Sequence, residues 1–350
     1  LKYVYGVDIT LSKKIVCFGE IMLRLTPPNH RRIVQTDTFD VYYGGGEANV
    51  SITLANFGLN SHFITKVPEN PLGQAAINEL RRYGVPTEHI VRGGERLGIY
   101  YCENGASQRP SNVIYDRAHS AIAEAKPEDF DWDEIFQGAN WFHITGITPA
   151  LGDNVVEISL RAVQAAKRAG CQVSCDLNYR AKLWTREQAN KGMSQIMEYV
   201  DLCIANEEDA EQIFGISSGS KIDAGEINVE GFQHVAEQLM ERFGVKMVGS
   251  HLRISHSASR NGWIAVLSDG EQFVQSKYYD IDIVDRVGGG DAFAGGLIYA
   301  LLSGKNLQET VEFGAAASCL KQTIPGDFNH VTLKEVEALV KGDGSGRVKR

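Results

Sequence analysis

The chain has 350 residues, a formal net charge of −9 and six cysteines. Its acidic and basic residues are mixed without a basic stripe, which excludes a protein that holds nucleic acid or an anionic membrane by charge alone. The cysteines form no C-x-x-C pair, so they predict neither a disulfide framework nor a zinc site and fit a reducing cytoplasm. No apolar run reaches the roughly 18 residues that a membrane-spanning helix needs.

The two ends of the chain differ from its middle. Residues 1–13 lack the basic and then apolar order of a signal peptide, and residues 342–350 combine glycines with a basic terminus. Both ends are therefore expected to be flexible. Residues 14–340 contain no repeat and no linker rich in proline, glycine and serine, which predicts one domain, expected in the cytoplasm.

Short apolar runs typical of β-strands alternate with amphipathic helical periods from residue 14 nearly to the end. The predicted strands are 15–19, 62–67, 141–145, 172–176, 202–205 and 246–249. Helices are predicted over 155–169 and 229–243, where apolar residues recur at three- and four-residue steps. This alternation predicts an α/β fold, with a mostly parallel central sheet covered by helices on both faces.

Two segments interrupt this alternation. Residues 22–43 and 97–117 each hold two short β-type runs separated by a polar loop, which is the pattern of a β-hairpin. The simplest arrangement joins the two hairpins into a small second sheet over one edge of the large one. The sequence therefore predicts a β-sheet lid.

The strongest local motif is DRVGGGD at 285–291, followed by a helix of small residues. Gly288, Gly289 and Gly290 allow backbone amides to converge on an anion, and the start of a helix adds partial positive charge. At that point Asp291 can accept a proton from an attacking hydroxyl while the amides hold developing negative charge. The competing interpretation is a turn in which Asp291 caps the helix.

The second motif is YGGGEANVS at 43–51. Gly45 and Gly46 let a ligand approach the backbone, and the Asn49 amide offers a donor and an acceptor to sugar hydroxyls. A dinucleotide-binding fingerprint is one alternative, but Asn49 stands where the last glycine of G-x-G-x-x-G belongs. A plain strand-to-helix turn is the other alternative.

Together, an N-terminal G-G-G-x-x-N loop and a C-terminal G-G-G-D helix start resemble the PfkB, or ribokinase-like, carbohydrate kinases. The resemblance spans residues 14–340, including the order of elements and the place of the lid. Arg286 within the second motif, LR at 252–253 and TIPGDF at 323–328 look like the 2-keto-3-deoxygluconate kinase branch of that family. The resemblance implies a ribokinase-like three-layer α/β/α fold with a small β-sheet lid.

The resemblance implies roles at the sugar. Arg117 on the second hairpin and Arg180 in the D-x-N-x-R element are expected to grip a carboxylate, since a guanidinium matches it with two hydrogen bonds. Tyr101 and Tyr115 are expected to close over the sugar, and Asp327 is expected to contact it. From the residues alone, Arg180 suits a helix-entry salt bridge and the tyrosines suit cross-strand packing.

The resemblance also implies a nucleotide and metal site. Asn178 and Asn206 are expected to face the phosphates, and Asn206 with Asp209 is expected to hold Mg²⁺. Asp209 stands where the family has glutamate, so Glu208 is an alternative, and an acidic first helical turn is the plain interpretation. The nucleotide is expected to contact Ser250, Arg253, Ala316 and the backbone of Gly288 and Gly290.

The implied activity is ATP-dependent phosphorylation of 2-keto-3-deoxygluconate at its 6-hydroxyl, with ATP and Mg²⁺ as cofactors. The resemblance leaves a monovalent-cation requirement open, and it implies a homo-oligomer, either a dimer through the lids or a higher assembly. Two alternatives stay open: a fructokinase- or ribokinase-type enzyme of the same family, and a sugar-binding regulator without catalysis. The missing fingerprint disfavours a dehydrogenase.

Overall fold

The computed structural model describes residues 3–4, 7–8, 13–218, 229–344 and 346. The strands, in chain order, are β1 (Tyr3–Val4), β2 (Val7–Asp8), β3 (Lys14–Phe18), β4 (Met22–Thr26), β5 (Asp40–Gly44), β6 (Asn60–Ile64), β7 (Lys66–Val67), β8 (Val91–Arg92), β9 (Ile99–Glu103), β10 (Asn112–Asp116), β11 (Ala139–Thr145), β12 (Gln172–Asp176), β13 (Leu202–Ile204), β14 (Met247–Ser255), β15 (Arg260–Ser268), β16 (Phe273–Gln275) and β17 (Tyr279–Asp282). The helices are α1 (Gly46–Asn56), α2 (Pro71–Arg82), α3 (Trp132–Ile135), α4 (Asp153–Arg168), α5 (Arg186–Met197), α6 (Glu207–Phe214), α7 (Val229–Phe243), α8 (Gly289–Leu302), α9 (Leu307–Lys321) and α10 (Leu333–Val340). The ends expected to be flexible lie mostly outside the described residues.

The largest sheet is mostly parallel, as the sequence predicts. Its strand order is β16-β15-β14-β13-β12-β11-β3-β6, with β17 also paired to β15. Strands β6, β3, β11, β12, β13 and β14 run parallel, whereas β15, β16 and β17 extend one edge by antiparallel pairing. The predicted α/β fold class is confirmed.

Two predicted strands have different bounds in the structure. The run 62–67 divides into β6, which pairs with β3, and β7, which pairs with β8 in a separate small sheet. The run 246–249 continues to Ser255, because β14 pairs with the antiparallel β15 beyond the point where its apolar pattern ends. The apolar pattern indicates which residues of a strand are buried, whereas the backbone pairing of β14 continues into residues that are not buried.

Helices cover both faces of the central sheet. Successive residues of β3 alternate between two apolar cores, with Val16 and Phe18 in one and Ile15 and Cys17 in the other. The first core contains buried residues of α4, α5, α6 and α7, and the second contains those of α1, α2, α8, α9 and α10. Three layers result. Within the described part of the chain, no helix has both the length and the apolar composition to cross a bilayer.

The lid is a separate four-stranded sheet in the order β10-β9-β4-β5. Both predicted hairpins are present, because β4 pairs antiparallel with β5 and β9 with β10, while β4 and β9 join the hairpins in parallel. Directly opposed residues share a face of a sheet, so the register defines two rows. The inner row consists of Tyr115, Tyr100, Arg24 and Tyr42. The outer row consists of Ile114, Tyr101, Leu25 and Val41.

Candidate active site

A cavity of about 400 Å³ lies where the carboxyl ends of the central strands meet the lid. In an open parallel sheet, ligands bind at this edge. The cavity wall also includes the residues at the starts of α1, α6 and α8. Helix starts carry free backbone amides and partial positive charge, so three of them converge on a place suited to an anion.

Most of the predicted site residues lie together at this cavity. Its wall includes Gly45, Gly46, Asn49, Tyr115, Arg117, Asn178, Arg180, Asn206, Asp209, Arg253, Gly288, Gly290, Asp291 and Asp327. The described residues that line it do not include Tyr101, Ser250, Gly289 or Ala316. The two glycine motifs therefore meet in space, although they lie at opposite ends of the chain.

Asp291 lies in the first turn of α8. Asn49, 242 positions away in sequence, donates a hydrogen bond of 2.6 Å from Nδ2 to Asp291 Oδ2. Burial raises the pKa of Asp291 to about 6, while the Asn49 bond lowers it. A carboxylate with this pKa is mostly ionised at neutral pH and takes up a proton readily, as a general base must. The alternative role as a helix cap does not apply, because Gly288 occupies the N-cap position of α8.

Gly288 shapes the turn before α8. Its φ of +83° lies in the left-handed region, which glycine adopts without the steric cost of a Cβ. A Cβ at Gly288 would collide with the backbone carbonyl of Asp327. Gly290 lines the cavity, whereas Gly289 packs against Gln322 on the inner side of the turn. The turn therefore presents backbone to the cavity, and we call residues 288–291 the cradle.

Acidic side chains gather where β12 ends and α6 begins. Asp176 is the last residue of β12, and burial, followed by the charges of Asp209 and Asp291, raises its pKa well above the ordinary value. Burial also raises the pKa of Asp209 to about 6, while Arg180 lowers it. Buried negative charges that raise one another's pKa favour a bound cation. The sequence analysis assigned no role to Asp176, although an acidic residue that closes an apolar strand is a signal for one.

The oxygen donors at this place fit Mg²⁺. Asn206 Oδ1 accepts from Asp209 N at 2.7 Å, and Asp209 Oδ1 accepts from Tyr179 N at 3.0 Å. These bonds hold Asp209 at the cavity wall, whereas Glu208 is exposed and outside it. Within the described residues, no group of three or more metal-ligating side chains occurs. Mg²⁺ commonly uses one or two carboxylates together with phosphate oxygens and water, so these residues suit a metal that arrives with a nucleotide.

Arg117 lies at the cavity in an ion pair that the sequence did not indicate. Its Nε donates to Glu20 Oε2 at 2.8 Å, and its Nη2 donates to the same oxygen. The Ser120 hydroxyl donates to the other oxygen of Glu20 at 2.6 Å. Arg117 and Glu20 are both buried. A substrate carboxylate that approaches Arg117 therefore also approaches the negative charge of Glu20.

Arg180 differs from Arg117. It is exposed at the cavity wall, and its Nη1 donates to the carbonyl oxygen of the adjacent Tyr179 at 3.0 Å. None of the described carboxylates forms an ion pair with Arg180, so the helix-entry salt bridge that its local sequence suggests is not formed among them. Asn178 has a left-handed φ of 38°, which turns the chain after β12 toward the cavity. Arg180 is thus available to an anionic ligand.

A buried group of charges lies behind the cradle. Arg24 on β4 has no exposed surface, and it donates from Nη2 to Asp285 Oδ2 at 2.6 Å and from Nη1 to Asp327 Oδ1 at 2.7 Å. The Tyr100 hydroxyl donates to the other oxygen of Asp327. We call Arg24, Tyr100, Asp285 and Asp327 the Arg24 network. It connects two lid strands to the chain on either side of the cradle, and it leaves Asp327 at the cavity wall with both oxygens bonded.

The sequence analysis missed Arg24 and Glu47. A charged residue inside the apolar run MLRLT is a signal for a buried ion pair, because an unpaired buried charge is too costly. Glu47 has a fully buried carboxylate whose Oε1 accepts from the Thr145 amide at 2.9 Å and the Thr148 hydroxyl at 2.6 Å. Burial raises the pKa of Glu47 to about 7. Its partners lie about a hundred residues away, so no local pattern indicates them.

The prediction that Tyr101 contacts the sugar is not supported by the fold of the lid. Tyr101 belongs to the outer row and packs against Phe39, with ring centroids 6.0 Å apart. Its neighbour Tyr100 points to the other face, because side chains alternate along a strand, and Tyr100 lines the cavity. Of these two neighbouring tyrosines, Tyr100 is therefore the one that faces the cavity.

The predicted nucleotide contacts at Ser250 and Ala316 also need correction. Ser250 is buried on β14, and Ala316 lies in the apolar core that α9 shares with α8. The small residues of α9 allow α8 and α9 to pack closely. Arg253 does line the cavity, beside His251, which stacks on Trp263 with ring centroids 4.7 Å apart.

These features are those of a kinase, an enzyme that transfers a phosphoryl group. A half-buried carboxylate next to backbone amides at a helix start suits the transfer of a phosphoryl group to a hydroxyl. The guanidinium of Arg180, which forms no ion pair among the described residues, suits an acceptor that carries a negative group.

The comparison with known proteins identifies the family. The sequence model of the pfkB family of carbohydrate kinases matches residues 12–329, so the chain belongs to that family. A crystal structure of 2-dehydro-3-deoxygluconokinase from Thermotoga maritima is 55% identical, with a TM-score of 0.90 over 94% of this chain and 100% of that one. A 2-dehydro-3-deoxygalactonokinase of Haloferax volcanii is 32% identical over 96% of this chain and 99% of its own length. A 2-dehydro-3-deoxygluconokinase of Bacillus subtilis is 28% identical over 91% and 93%.

Proposed function

We propose that the protein phosphorylates the 6-hydroxyl of 2-keto-3-deoxygluconate with ATP, giving 2-keto-3-deoxy-6-phosphogluconate and ADP. The observation that carries the proposal is Asp291, which is half-buried, hydrogen-bonded by Asn49 and placed in one cavity with Arg180, a guanidinium that forms no ion pair with the described carboxylates. The 55% identity to the Thermotoga maritima 2-dehydro-3-deoxygluconokinase supports the choice of substrate.

Asp291 is the proposed base. It accepts the proton of the 6-hydroxyl as that oxygen forms a bond to the terminal phosphorus of ATP, and the bond from this phosphorus to the bridging oxygen breaks to release ADP. Asn49 holds Asp291 Oδ2, which leaves Oδ1 for the substrate hydroxyl. The backbone amides of the cradle stabilise the negative charge that develops on the transferred group.

Other residues of the chain hold the donor. Asn178, Arg253 and the backbone of Gly288 and Gly290 are the proposed nucleotide contacts, since all four lie at the cavity wall. Asn206 and Asp209 are the proposed protein ligands of Mg²⁺, which neutralises phosphate charge when it is bound. Tyr100 and Tyr115 of the inner row line the cavity on the lid side. Exclusion of water by the lid keeps hydrolysis of ATP from competing with transfer.

The sugar acid is proposed to bind through its carboxylate to Arg180. Gly45 and Gly46 bring backbone close to the sugar hydroxyls, and Tyr115 and Arg117 complete the lid side of the site. The carboxylate separates this substrate from neutral sugars, because a bidentate guanidinium contact has no counterpart in fructose or ribose. The epimer 2-keto-3-deoxygalactonate has the same carboxylate and differs at C4, so C4 is tested separately.

The test is an assay of ADP formation with four acceptors, namely 2-keto-3-deoxygluconate, its C4 epimer, fructose and ribose, and with a control that contains no sugar. The proposal expects the highest kcat/KM with 2-keto-3-deoxygluconate, about tenfold or more above either neutral sugar. Product analysis by ³¹P NMR should show a phosphomonoester coupled to the two C6 protons. A neutral sugar as the best acceptor would identify a different kinase of the family, and binding without ADP formation would identify a regulator.

We also propose that two copies of the chain associate through their lids. In the outer row, Val41 is 58% exposed and Ile114 is 48% exposed, with Leu25 and Tyr101 between them. A continuous apolar row on the exposed face of a sheet is a surface that association would cover.

A further inference from the structure

Lys321, the last residue of α9, is buried inside the protein. The residue has no exposed surface. Lysine is almost never fully buried without a matching partner, because its ammonium loses hydration on burial. Neither the sequence motifs nor the proposed transfer of the phosphoryl group accounts for a buried lysine at this position.

The Lys321 ammonium bonds to backbone oxygens. Nζ donates to the carbonyl oxygen of Gly326 at 2.6 Å and to that of Asp285 at 3.3 Å. Burial lowers the pKa of Lys321, and the nearby charges of Asp285 and Asp327 oppose this effect. Both of these carboxylates form their ion pairs with Arg24. The carboxylates of Asp285 and Asp327 thus balance the positive charge of Lys321 without bonding to it. The hydrogen bonds of the ammonium go to backbone carbonyl groups instead.

The two carbonyl groups belong to the segments that shape the cradle. Asp285 lies three residues before Gly288, and Gly326 directly precedes Asp327, whose carbonyl oxygen closes off the space beside Gly288. Lys321 Cε lies 3.2 Å from the position that a Cβ of Gly288 would occupy. The Lys321 side chain therefore packs directly against the turn that starts α8.

We propose that Lys321 is a positioning residue whose tethered ammonium does the work of a dissolved monovalent cation, binding the carbonyl groups of Asp285 and Gly326 and so holding the cradle in its reactive geometry. This inference rests on the proposed phosphoryl transfer. An ion such as K⁺ could bind the same carbonyl oxygens, but it would have to be recruited from solution. A tethered ammonium is always in place, so the reaction is independent of the monovalent cation in the buffer.

The proposal predicts which kinetic constant depends on Lys321. The two residues to which its ammonium donates, Asp285 and Gly326, do not line the cavity and are not proposed to bind the sugar acid. The cradle amides act on charge that develops during transfer, so their displacement lowers kcat more than it changes KM for the sugar acid. A purely structural lysine would instead change stability without this split.

The first experiment uses the unaltered protein. kcat with 2-keto-3-deoxygluconate is measured at constant Mg²⁺ and ionic strength in chloride salts of K⁺, Na⁺, ammonium and tetramethylammonium. The proposal expects kcat to agree within about twofold across the four salts. Activation of about tenfold or more by K⁺ or ammonium would show that a dissolved cation is required, and it would overturn the proposal.

The second experiment removes the ammonium and returns it. In Lys321→Ala, kcat is expected to fall about a hundredfold, comparable to the loss of one oxyanion donor, with KM for the sugar acid changed less than about threefold. Propylammonium, which replaces the deleted atoms, is expected to restore kcat at least tenfold, whereas tetramethylammonium, which has no N–H group, restores none. Lys334→Ala, at an exposed position of α10, is the control and should match the unaltered protein in every salt.

Two further measurements make each result decisive. The thermal midpoint and the dissociation constant of ADP are determined for each variant, and Lys321→Met replaces Lys321→Ala if the alanine variant does not fold. Unchanged kcat in a folded variant, or loss of kcat that no small ammonium restores in Lys321→Ala, would overturn the proposal. ADP binding needs no sugar, so weaker ADP binding in Lys321→Ala that propylammonium restores supports the role of Lys321 even if 2-keto-3-deoxygluconate proves not to be the acceptor.

Discussion

The cradle side of the cavity and the loop after β12 hold their charges in different ways. On the cradle side, Arg24 bonds Asp285 and Asp327 with no exposure to solvent, and Lys321 bonds two carbonyl groups behind them. On the loop after β12, the exposed Arg180 forms no ion pair with a carboxylate of the described residues, and its Nη1 donates to the carbonyl oxygen of Tyr179. The cradle side is therefore complete before a ligand arrives, and the loop keeps a positive charge for the ligand.

This difference follows the division of labour in the proposed reaction. Stabilisation of a transition state requires groups that are already oriented, because their reorganisation would add to the barrier. Discrimination between acceptors requires a group that the wrong acceptor leaves unsatisfied. We infer that the buried ion pairs fix the geometry of the cradle, and that the guanidinium of Arg180 selects the acceptor. Each of these two statements can be tested.

The largest expected effect is on stability, from breaking the cradle side. Arg24→Met leaves Asp285 and Asp327 buried without their cation, so the free energy of unfolding should fall by about 3–5 kcal/mol. Chemical denaturation measures this change. Arg82→Met is the matched control, since Arg82 is largely exposed where it pairs with Glu79 and this pair should contribute little. Equal stability of the two variants would show that the Arg24 network is not the anchor described here.

A smaller effect is expected on the loop after β12, where Arg180 is proposed to select the acceptor. Arg180→Ala removes charge-assisted hydrogen bonds to a carboxylate, so KM for 2-keto-3-deoxygluconate should rise about 10- to 100-fold. KM for fructose should change by less than about threefold, because fructose has no carboxylate. Steady-state kinetics with both acceptors tests this, and equal increases for both would remove the distinction. Arg117→Ala is a less clean test, since it also strands the buried charge of Glu20.

The pH dependence of kcat/KM tests the assignment of Asp291, in the cradle, as the base. Burial raises the pKa of Asp291 from 3.8 to about 6, so its ionised, proton-accepting form is lost as the pH falls through about 6. kcat/KM should therefore be flat from pH 7 to 8 and fall about tenfold for each pH unit well below 6. Because the pKa of Asp209 is also about 6, Asp209→Asn is the control and should keep this acid limb. If the acid limb disappeared in Asp209→Asn, the limb would belong to Asp209 and not to Asp291.

The smallest effect on catalysis is expected from the outer row of the lid. Ile114→Asp places a charge in the apolar row, so it should shift the proposed dimer to monomer while kcat changes less than about threefold. Sedimentation velocity measures the change in mass. Leu72→Asp, an equally exposed apolar position on α2, is the control and should keep the assembly of the unaltered protein. A monomeric unaltered protein would contradict the lid interface.

Local sequence patterns predicted the parts of the molecule that are made by local contacts. The alternation of runs predicted the parallel sheet, and the polar breaks predicted both lid hairpins. The motifs around Asn49 and Asp291 each contain glycines followed by a helix start, so a turn that exposes backbone amides could be inferred from either motif alone. The direct bond between Asn49 and Asp291 could not, because it joins residues 242 positions apart.

The rest of the site depends on long-range pairing and on register. Arg117 meets Glu20 across 97 positions, and Arg24 meets Asp285 across 261, so neither partner can be identified from a local window. Tyr101 was chosen in place of Tyr100 because the face of a lid strand is set by its pairing with β4, which sequence alone does not show. Lys321 gave no signal either, since a lysine at a helix end is ordinarily exposed.

The most direct test of the central claim is the pair of constants, kcat and the dissociation constant of 2-keto-3-deoxygluconate, measured for Asp291→Asn and the unaltered protein. The substitution keeps the size of the side chain and removes its basicity. The account predicts a fall in kcat of about a thousandfold with the dissociation constant within about twofold, because Asp291 acts on the proton and not on binding. A kcat within about tenfold of the unaltered protein would contradict the assignment of Asp291 as the base.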